Sequence, residues 1–321
     1  MNRPKTLVKT TNLTREDWLA WRRKGIGSSD SAAVVGLDPW RSPLSVWLDK
    51  LGQTGPIAEN EYMELGILQE PVVAELFHRR TGWPVRRRNA ILQHPQYPWM
   101  LANLDRLTQD DTGQWVPLEC KTTTQWNEEK WDAGNVPEHY LIQVQHQLGE
   151  TDASHGYICV LIGGHDVRWV RIDRDSALIE QIMRLEEEFW TSVQQQTPPV
   201  ARANDTEILS FRYPDSDPEL TVFTADDASL IRYWGLHREI KALAEEKDAI
   251  ANQWRLELGN AETLCVPGQV KPLVTWKSGT SQNFDTQAFK VAYPDLYASF
   301  LRTIPTRPLR PRKLKKEESH V

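Results

Sequence analysis

Along this chain the hydrophobic and polar positions change period several times, and each change marks an element. "LTREDWLAWRRKG" starts with Thr14 as an N-cap, carries acids in its first turn and stops at Gly25, which predicts a short amphipathic helix. "GIGSSDSAAVVG" predicts a glycine-serine loop and then a small-residue helix opening near Ser29 and Asp30, and "SPLSVWLDKLG" a further helix closed by Gly52. From about Glu59 to Thr81, Leu65, Leu68, Val72, Leu76 and Phe77 recur at helical spacing, so a long helix with an apolar stripe is expected before Gly82.

The period then shortens to that of strands. "VRRRNAILQH" and "WMLANLDRLTQ" read as extended, "DDTGQ" as a turn, and "WVPLECKTT" as the returning strand of a hairpin. "PEHYLIQVQHQLGE" returns to helix, with Tyr140, Gln143 and Gln147 on one face. "GYICVLIGGHDVRWVRID" is a second hairpin turning on Gly163 and Gly164, and the helix after it ends at Pro198-Pro199. The pattern predicts an α/β core with a mixed central sheet over residues 1–199. An α+β extension is expected over 200–305: a long charged helix, a small β-rich stretch and a last helix, "TQAFKVAYPDLYASFL". Residues 306–321 are expected to be a basic, disordered tail.

Composition narrows the class. The 321 residues are 40% hydrophobic and 26% charged, as in an ordinary soluble globular chain. The N-terminal "MNRPKTLVKTTNLTRED" has only Leu7-Val8 where a secretory leader needs an apolar core, so a cytoplasmic protein is expected. Three scattered cysteines without a CxxC spacing, and histidines without an HxxxH pattern, argue against a zinc knuckle, a four-cysteine iron–sulfur cluster or a disulfide framework. The net charge of −6 does not announce a polyanion binder. Local basic runs do occur, at Arg22-Arg23-Lys24, Arg79-Arg80, Arg86-Arg87-Arg88 and in the tail, and a basic groove can sit on an acidic body.

The chemistry lies in "LECKTT". On a strand, alternate residues share a face, so Glu119 and Lys121 point into one space while Leu118 and Cys120 point the other way. Asp105 falls on the neighbouring strand and Glu70 on the long helix. Hydrolysis of a phosphodiester needs hard oxygen ligands for Mg2+ or Mn2+, a positioned water, and positive charge facing the developing phosphorane. Three acids and a lysine supply those parts, with the backbone carbonyl of Cys120 as a natural further ligand. Taken alone, the pattern is weak and reads first as a hairpin ion pair.

Four blocks in order resemble the lambda exonuclease / YqaJ viral recombinase family of the PD-(D/E)XK nucleases: "WRRKGIGSSDSAAVVG", "LGILQEPVVAELFHRRTG", "LANLDRLTQDDTGQWVPLECKTT" and "YLIQVQHQL". The resemblance implies a restriction-endonuclease-like core. It also implies two Mg2+ ions (Mn2+ substituting) on Glu70, Asp105 and Glu119, with Lys121 acting on the attacking water and Gln143 at the site's edge. Arg23 and Ser29 fall where the family holds the 5′-phosphate, and Tyr140 matches a family tyrosine beside the DNA. The implied activity is 5′→3′ digestion of linear duplex DNA, leaving 3′ overhangs for recombination. A trimeric ring and a partner single-strand annealing protein come with it. The superfamily's "PD" is Leu104-Asp105 here, which leaves the ligand in place.

Other readings are a structure-specific endonuclease and a non-catalytic DNA-binding scaffold. All four acid and lysine positions are retained, which disfavours the scaffold. A thiol enzyme on Cys120 is disfavoured because that side chain points away from the acids and has no positioned histidine. Of the fourteen tryptophans, Trp18, Trp21 and Trp40 are the candidates for touching DNA.

Overall fold

The computed structural model describes residues 4–54, 61–223, 227–269, 271–304 and 306–313. Two compact units divide it, Met1–Tyr213 and Pro214–Val321. In the first, β1 (Lys5–Lys9) leads to α1 (Arg15–Arg22), β2 (Ile26–Gly27), α2 (Ser28–Val34), α3 (Pro43–Lys50) and the long α4 (Glu61–Thr81). Next come strands β3 (Val85–Arg86), β4 (Ala90–Gln93), β5 (Met100–Asn103), β6 (Arg106–Gln109) and β7 (Trp115–Thr123). Beyond a 3-10 stretch lie α5 (Glu138–Thr151), β8 (His155–Ile162), β9 (Asp166–Asp173), α6 (Ser176–Gln194) and α7 (Thr206–Arg212).

The strands form two mixed sheets, β1-β4-β5-β2 and β3-β6-β7-β8-β9, as the α/β pattern requires. The five-stranded sheet is a sandwich filling. On one face Val73, Ala74 and Phe77 of α4 pack against Val116, Leu118 and Cys120 of β7. On the other, Val144 and Leu148 of α5 pack against Ile158, Val160 and Ile162 of β8. The alternation in "LECKTT" therefore holds: Leu118 and Cys120 face α4, leaving Glu119 and Lys121 to the α5 side.

Three expectations about the long helix and the strands after it are corrected. Phe77 is fully buried, but Leu65, Leu68 and Val72 are exposed, because only the C-terminal half of α4 lies over the sheet. The expected helix start at Glu59 lies outside the described residues. "WMLANLDRLTQ" is not one strand. It breaks at Leu104-Asp105, with β5 in the first sheet and β6 in the second. "VRRRNAILQH" likewise splits into β3 and β4, with Asn89 between them at positive φ. Both breaks occur where the chain passes from one sheet to the other, a tertiary demand that overrides a local extended pattern.

The first compact unit runs past Pro199. Arg202 Nη1 donates to the Gly36 carbonyl at 3.0 Å, and Asp205, itself buried, accepts from the Ser42 hydroxyl. The second unit holds α8 (Ala228–Leu258), β10 (Thr263–Leu264), β11 (Val274–Thr275), α9 (Thr286–Ala292) and α10 (Pro294–Ser299). The expected single last helix is cut at Tyr293 by Pro294, which disfavours helical geometry in the residue before it. Residues 306–313 have no regular structure, and the rest of the basic tail, 314–321, lies outside the described residues. No helix among the described residues is long and apolar enough to cross a membrane.

Candidate active site

The break before β6 is what aims Asp105. In the β6/β7 ladder Arg106 pairs with Leu118, so Asp105, one residue earlier, reaches the level of Glu119. Its Oδ2 accepts from the backbone N–H of Cys120 at 2.9 Å. Glu119 is buried, with both oxygens engaged: Gln143 donates to Oε1 at 2.6 Å and Gln147 to Oε2 at 2.7 Å. The two glutamines sit one helical turn apart on α5, so one helix face fixes the carboxylate from above. Lys121 Nζ lies 2.7 Å from Glu119 Oε1, donates to Gln143 Oε1 at 3.0 Å, and stands 4.8 Å from the centre of the Tyr140 ring. The structure thus brings Asp105, Glu119, Lys121, Gln143 and Tyr140 into one space.

The electrostatics are those of a crowded anion. Burial raises the Asp105 carboxyl well above its ordinary value, and the charges of Glu119 and then Glu70 push the same way. Burial acts to lower Lys121, but Glu119 and Asp105 outweigh it, and the ammonium is held charged above its ordinary range. Burial drives the Cys120 thiol well above its ordinary value and Cys159 to about 12, so neither is a thiolate nucleophile.

Glu70 stands apart from the pair. It projects from the α4 side of the sheet and meets Arg106 Nη1 at 2.5 Å, while the same nitrogen donates to the Asp105 carbonyl at 2.6 Å. Arg106 therefore links the helix acid to the aspartate's backbone. Among the described residues no three of His, Cys, Asp and Glu converge closely enough to enclose an ion as they are placed. The donor set nevertheless fits a hard divalent cation. Asp105 and Glu119 are mutually repelling carboxylates, a cation between them would relieve that repulsion, and Glu70 contributes to the same field.

A second cluster borders the first. Asp30, fully buried at the start of α2, accepts from Arg41 at 2.7 Å, Arg22 at 3.2 Å and Lys50 at 2.6 Å. Burial opposes ionisation, yet these three cations hold the carboxyl well below its ordinary value. With Arg23, Asp38 and Asp49 beside them, four cations meet three carboxylates, a slight positive surplus, and the Arg22 and Arg41 side chains reach solvent. Arg22 also donates to Ser29 Oγ at 2.8 Å. Gln147, which grips Glu119, lies 3.5 Å from Ser28 Oγ, so this cationic corner adjoins the carboxylates.

Arg23 and Ser29, both expected at a 5′-phosphate site, take different partners. Arg23 faces Asp49 at 3.7 Å, its Nε without a hydrogen-bond partner, and Arg22 takes the serine. Sequence reading missed Arg41, Lys50, Arg106 and Gln147 as members of the site. Only Gln147 carried a signal, its helical spacing from Gln143. Trp40 is exposed and meets His139 edge-on at 5.1 Å, beside Tyr140. Trp18 carries Arg15 and Arg22 over its ring, and Trp21 carries Lys24.

A family model for the YqaJ-like viral recombinase domain matches residues 17–154, the stretch from α1 to just beyond α5 that supplies every residue of both clusters. YqaJ of Bacillus subtilis (strain 168) is 37% identical over 304 residues, covering 92% of this chain and 93% of that protein. Among solved structures, the alkaline exonuclease LHK-Exo from Laribacter hongkongensis matches at 22% identity over 57% of this chain and 94% of that chain, with a TM-score of 0.48. Its complex with dAMP matches at 24% identity over the same shares, with a TM-score of 0.49. With a relative so similar along nearly its whole length, the chain belongs to the YqaJ-like viral recombinase family.

Proposed function

We propose that this protein is a Mg2+-dependent deoxyribonuclease that digests linear duplex DNA 5′→3′ and leaves 3′ single strands for recombination by annealing. The observation that carries the reading is the convergence of Lys121 Nζ on Glu119 at 2.7 Å and Gln143 at 3.0 Å, beside a half-buried Asp105. Asp105 and Glu119, with Glu70 and the Cys120 carbonyl nearby, would hold the metal, which supplies Lewis acidity toward the phosphate and lowers the pKa of water. Gln143 and Gln147 fix Glu119 in one rotamer. Lys121, kept protonated, holds positive charge at the position where the phosphorane gathers negative charge. Gln143 relays that order to the attacking water, and Tyr140 walls the ammonium on its other side.

Membership in a viral recombinase family supports DNA as the substrate. The cationic corner supports a preference for ends, since Arg22 with Ser29 makes a fork plus hydroxyl suited to a 5′-phosphate. Trp40 offers a face for an unpaired base. A trimeric ring around DNA, a single-strand annealing partner and a cytoplasmic, phage or prophage setting complete the proposal.

The test uses linear duplexes labelled at either end, with and without 5′-phosphate, beside closed circles, in Mg2+, Mn2+ or EDTA. Mononucleotides released from phosphorylated 5′ ends, with circles intact, are expected. Lys121→Ala should lower the rate at least a hundredfold with the fold unchanged by circular dichroism. Arg22→Ala should remove the preference for phosphorylated ends. Nicked circles would replace the exonuclease by an endonuclease, and no cleavage in either metal would leave a DNA-binding scaffold.

A further inference from the structure

Helix α8 presents an apolar seam that no described residue of its own unit buries. Tyr233, Leu236, Ile240, Leu243, Ile250 and Trp254 recur at alternating steps of three and four, and Lys247 occupies the one remaining position. The six apolar side chains are between 39% and 65% exposed. Among the described residues of 214–321 only Leu258 is buried, so this unit has no core of its own to support a 31-residue helix. Single helices draw most of their stability from packing an apolar face. The seam's mean period of 3.5 is the repeat by which two helices stay in contact over their length, here about 30 Å at 1.5 Å per residue.

The residues beside the seam identify the occupant. On one flank lie Arg232, Glu239, Glu246 and Gln253, on the other His237, Ala244 and Ala251. In a parallel, in-register pair each flank meets the opposite flank of its partner, so Glu239 and Glu246 face alanines and no acid faces an acid. An antiparallel pair would set Glu246 against the partner's Glu246. In the parallel arrangement Lys247 has the partner's Glu246 within reach of its ammonium, which offsets the meeting of two lysines at the seam. Isoleucine at Ile240 with leucines at Leu236 and Leu243 is the alternation that favours two parallel strands. An anionic lipid surface is the weaker match, since over Ala228–Leu258 five acidic residues balance five Lys and Arg and leave no net positive charge to draw the helix to it.

We propose that α8 is closed by α8 of a second copy of this chain, as a parallel two-stranded coiled coil along Tyr233–Trp254; if the proposed trimeric ring forms, every α8 finds its partner only in a second ring.

Disulfide trapping in the full-length chain tests it. On a Cys265→Ser background, which removes the exposed thiol, cysteine is placed on the seam (Leu243→Cys) or on the outer face (Arg238→Cys). Under mild oxidation at micromolar chain the seam variant is expected to form covalent dimers at least tenfold faster than the outer-face variant, and adding Ile240→Glu should abolish the difference. Equal rates for the two cysteines would overturn the proposal. So would a wild-type chain that sediments as a monomer, or as a closed trimer with no larger species, at tens of micromolar, or one that binds anionic vesicles through the seam instead. Leu243 is already exposed within its own unit, so its replacement leaves the fold of that unit intact.

Discussion

Among the described residues Glu150 has no hydrogen-bond partner. It is fully buried on α5, neither carboxylate oxygen meets a hydrogen-bond partner, and burial raises its pKa from an ordinary 4.5 to about 9. A carboxyl whose folded pKa lies above its unfolded one binds its proton more tightly in the folded state. Its contribution is therefore intact below about pH 4.5 and is lost as pH rises toward 9, by about 1.4 kcal/mol for each pH unit between them. Glu150→Gln removes the titration, so its stability advantage should grow from pH 5 to pH 8, read as a widening gap in urea midpoint. A constant gap would mean that Glu150 is solvated. At this scale the sequence is legible where spacing alone decides contact. Glu119, Lys121, Gln143 and Tyr140 meet because strand and helix periods put them there. It is illegible for Arg41, Lys50 and Arg106, which are recruited by folding to carboxylates distant in the chain. Choosing between the adjacent Arg22 and Arg23 needs the exit angle of α1, which no local pattern carries.

Elements are legible where one period runs uninterrupted, and obscure where the chain changes sheets. The β6–β7 hairpin shows in "DDTGQ", yet what locks it does not. Asp110 accepts from the Thr112 backbone N–H at 3.0 Å, lies 2.5 Å from His155 Nε2, and accepts from the Tyr157 hydroxyl at 2.9 Å, fastening the turn onto β8. Burial works against its charge, but these hydrogen bonds, from Thr112 first, hold the carboxyl below its ordinary value. That depressed pKa gives a contribution present above about pH 4 and lost as pH falls below it. Asp110→Asn should cost about 2 kcal/mol near neutral pH, and less at pH 3 where the wild type has lost its own advantage. Urea titrations at the two pH values check it, and an equal cost at both would show that the amide reproduces the carboxylate's bonds. The exposed stretch of α4 marks the opposite limit: a helical stripe of Leu65, Leu68 and Val72 announces a covered face, and the five-stranded sheet ends before reaching it.

The two units differ in what holds them together, and this sets how the whole molecule should come apart. The first encloses continuous clusters across both faces of a five-stranded sheet, together with every residue proposed for the chemistry. The second buries Leu258 alone among its described residues, so on the pairing proposed for α8 most of its cohesion comes from a second copy. A protein ending at Tyr213 is accordingly expected to keep the main cooperative transition within about 3 °C of the full chain, the shift that about 1 kcal/mol makes in a domain of this size. The full chain should show a further transition that the shortened one lacks. Because helix pairing is bimolecular, that second transition should move to higher temperature as chain concentration rises, by mass action, while the main one stays in place. Calorimetry over a hundredfold range of concentration separates the two. A second transition indifferent to concentration would locate the cohesion of residues 214–321 within one chain, and a single transition lost on truncation would make the sheet sandwich dependent on the second unit.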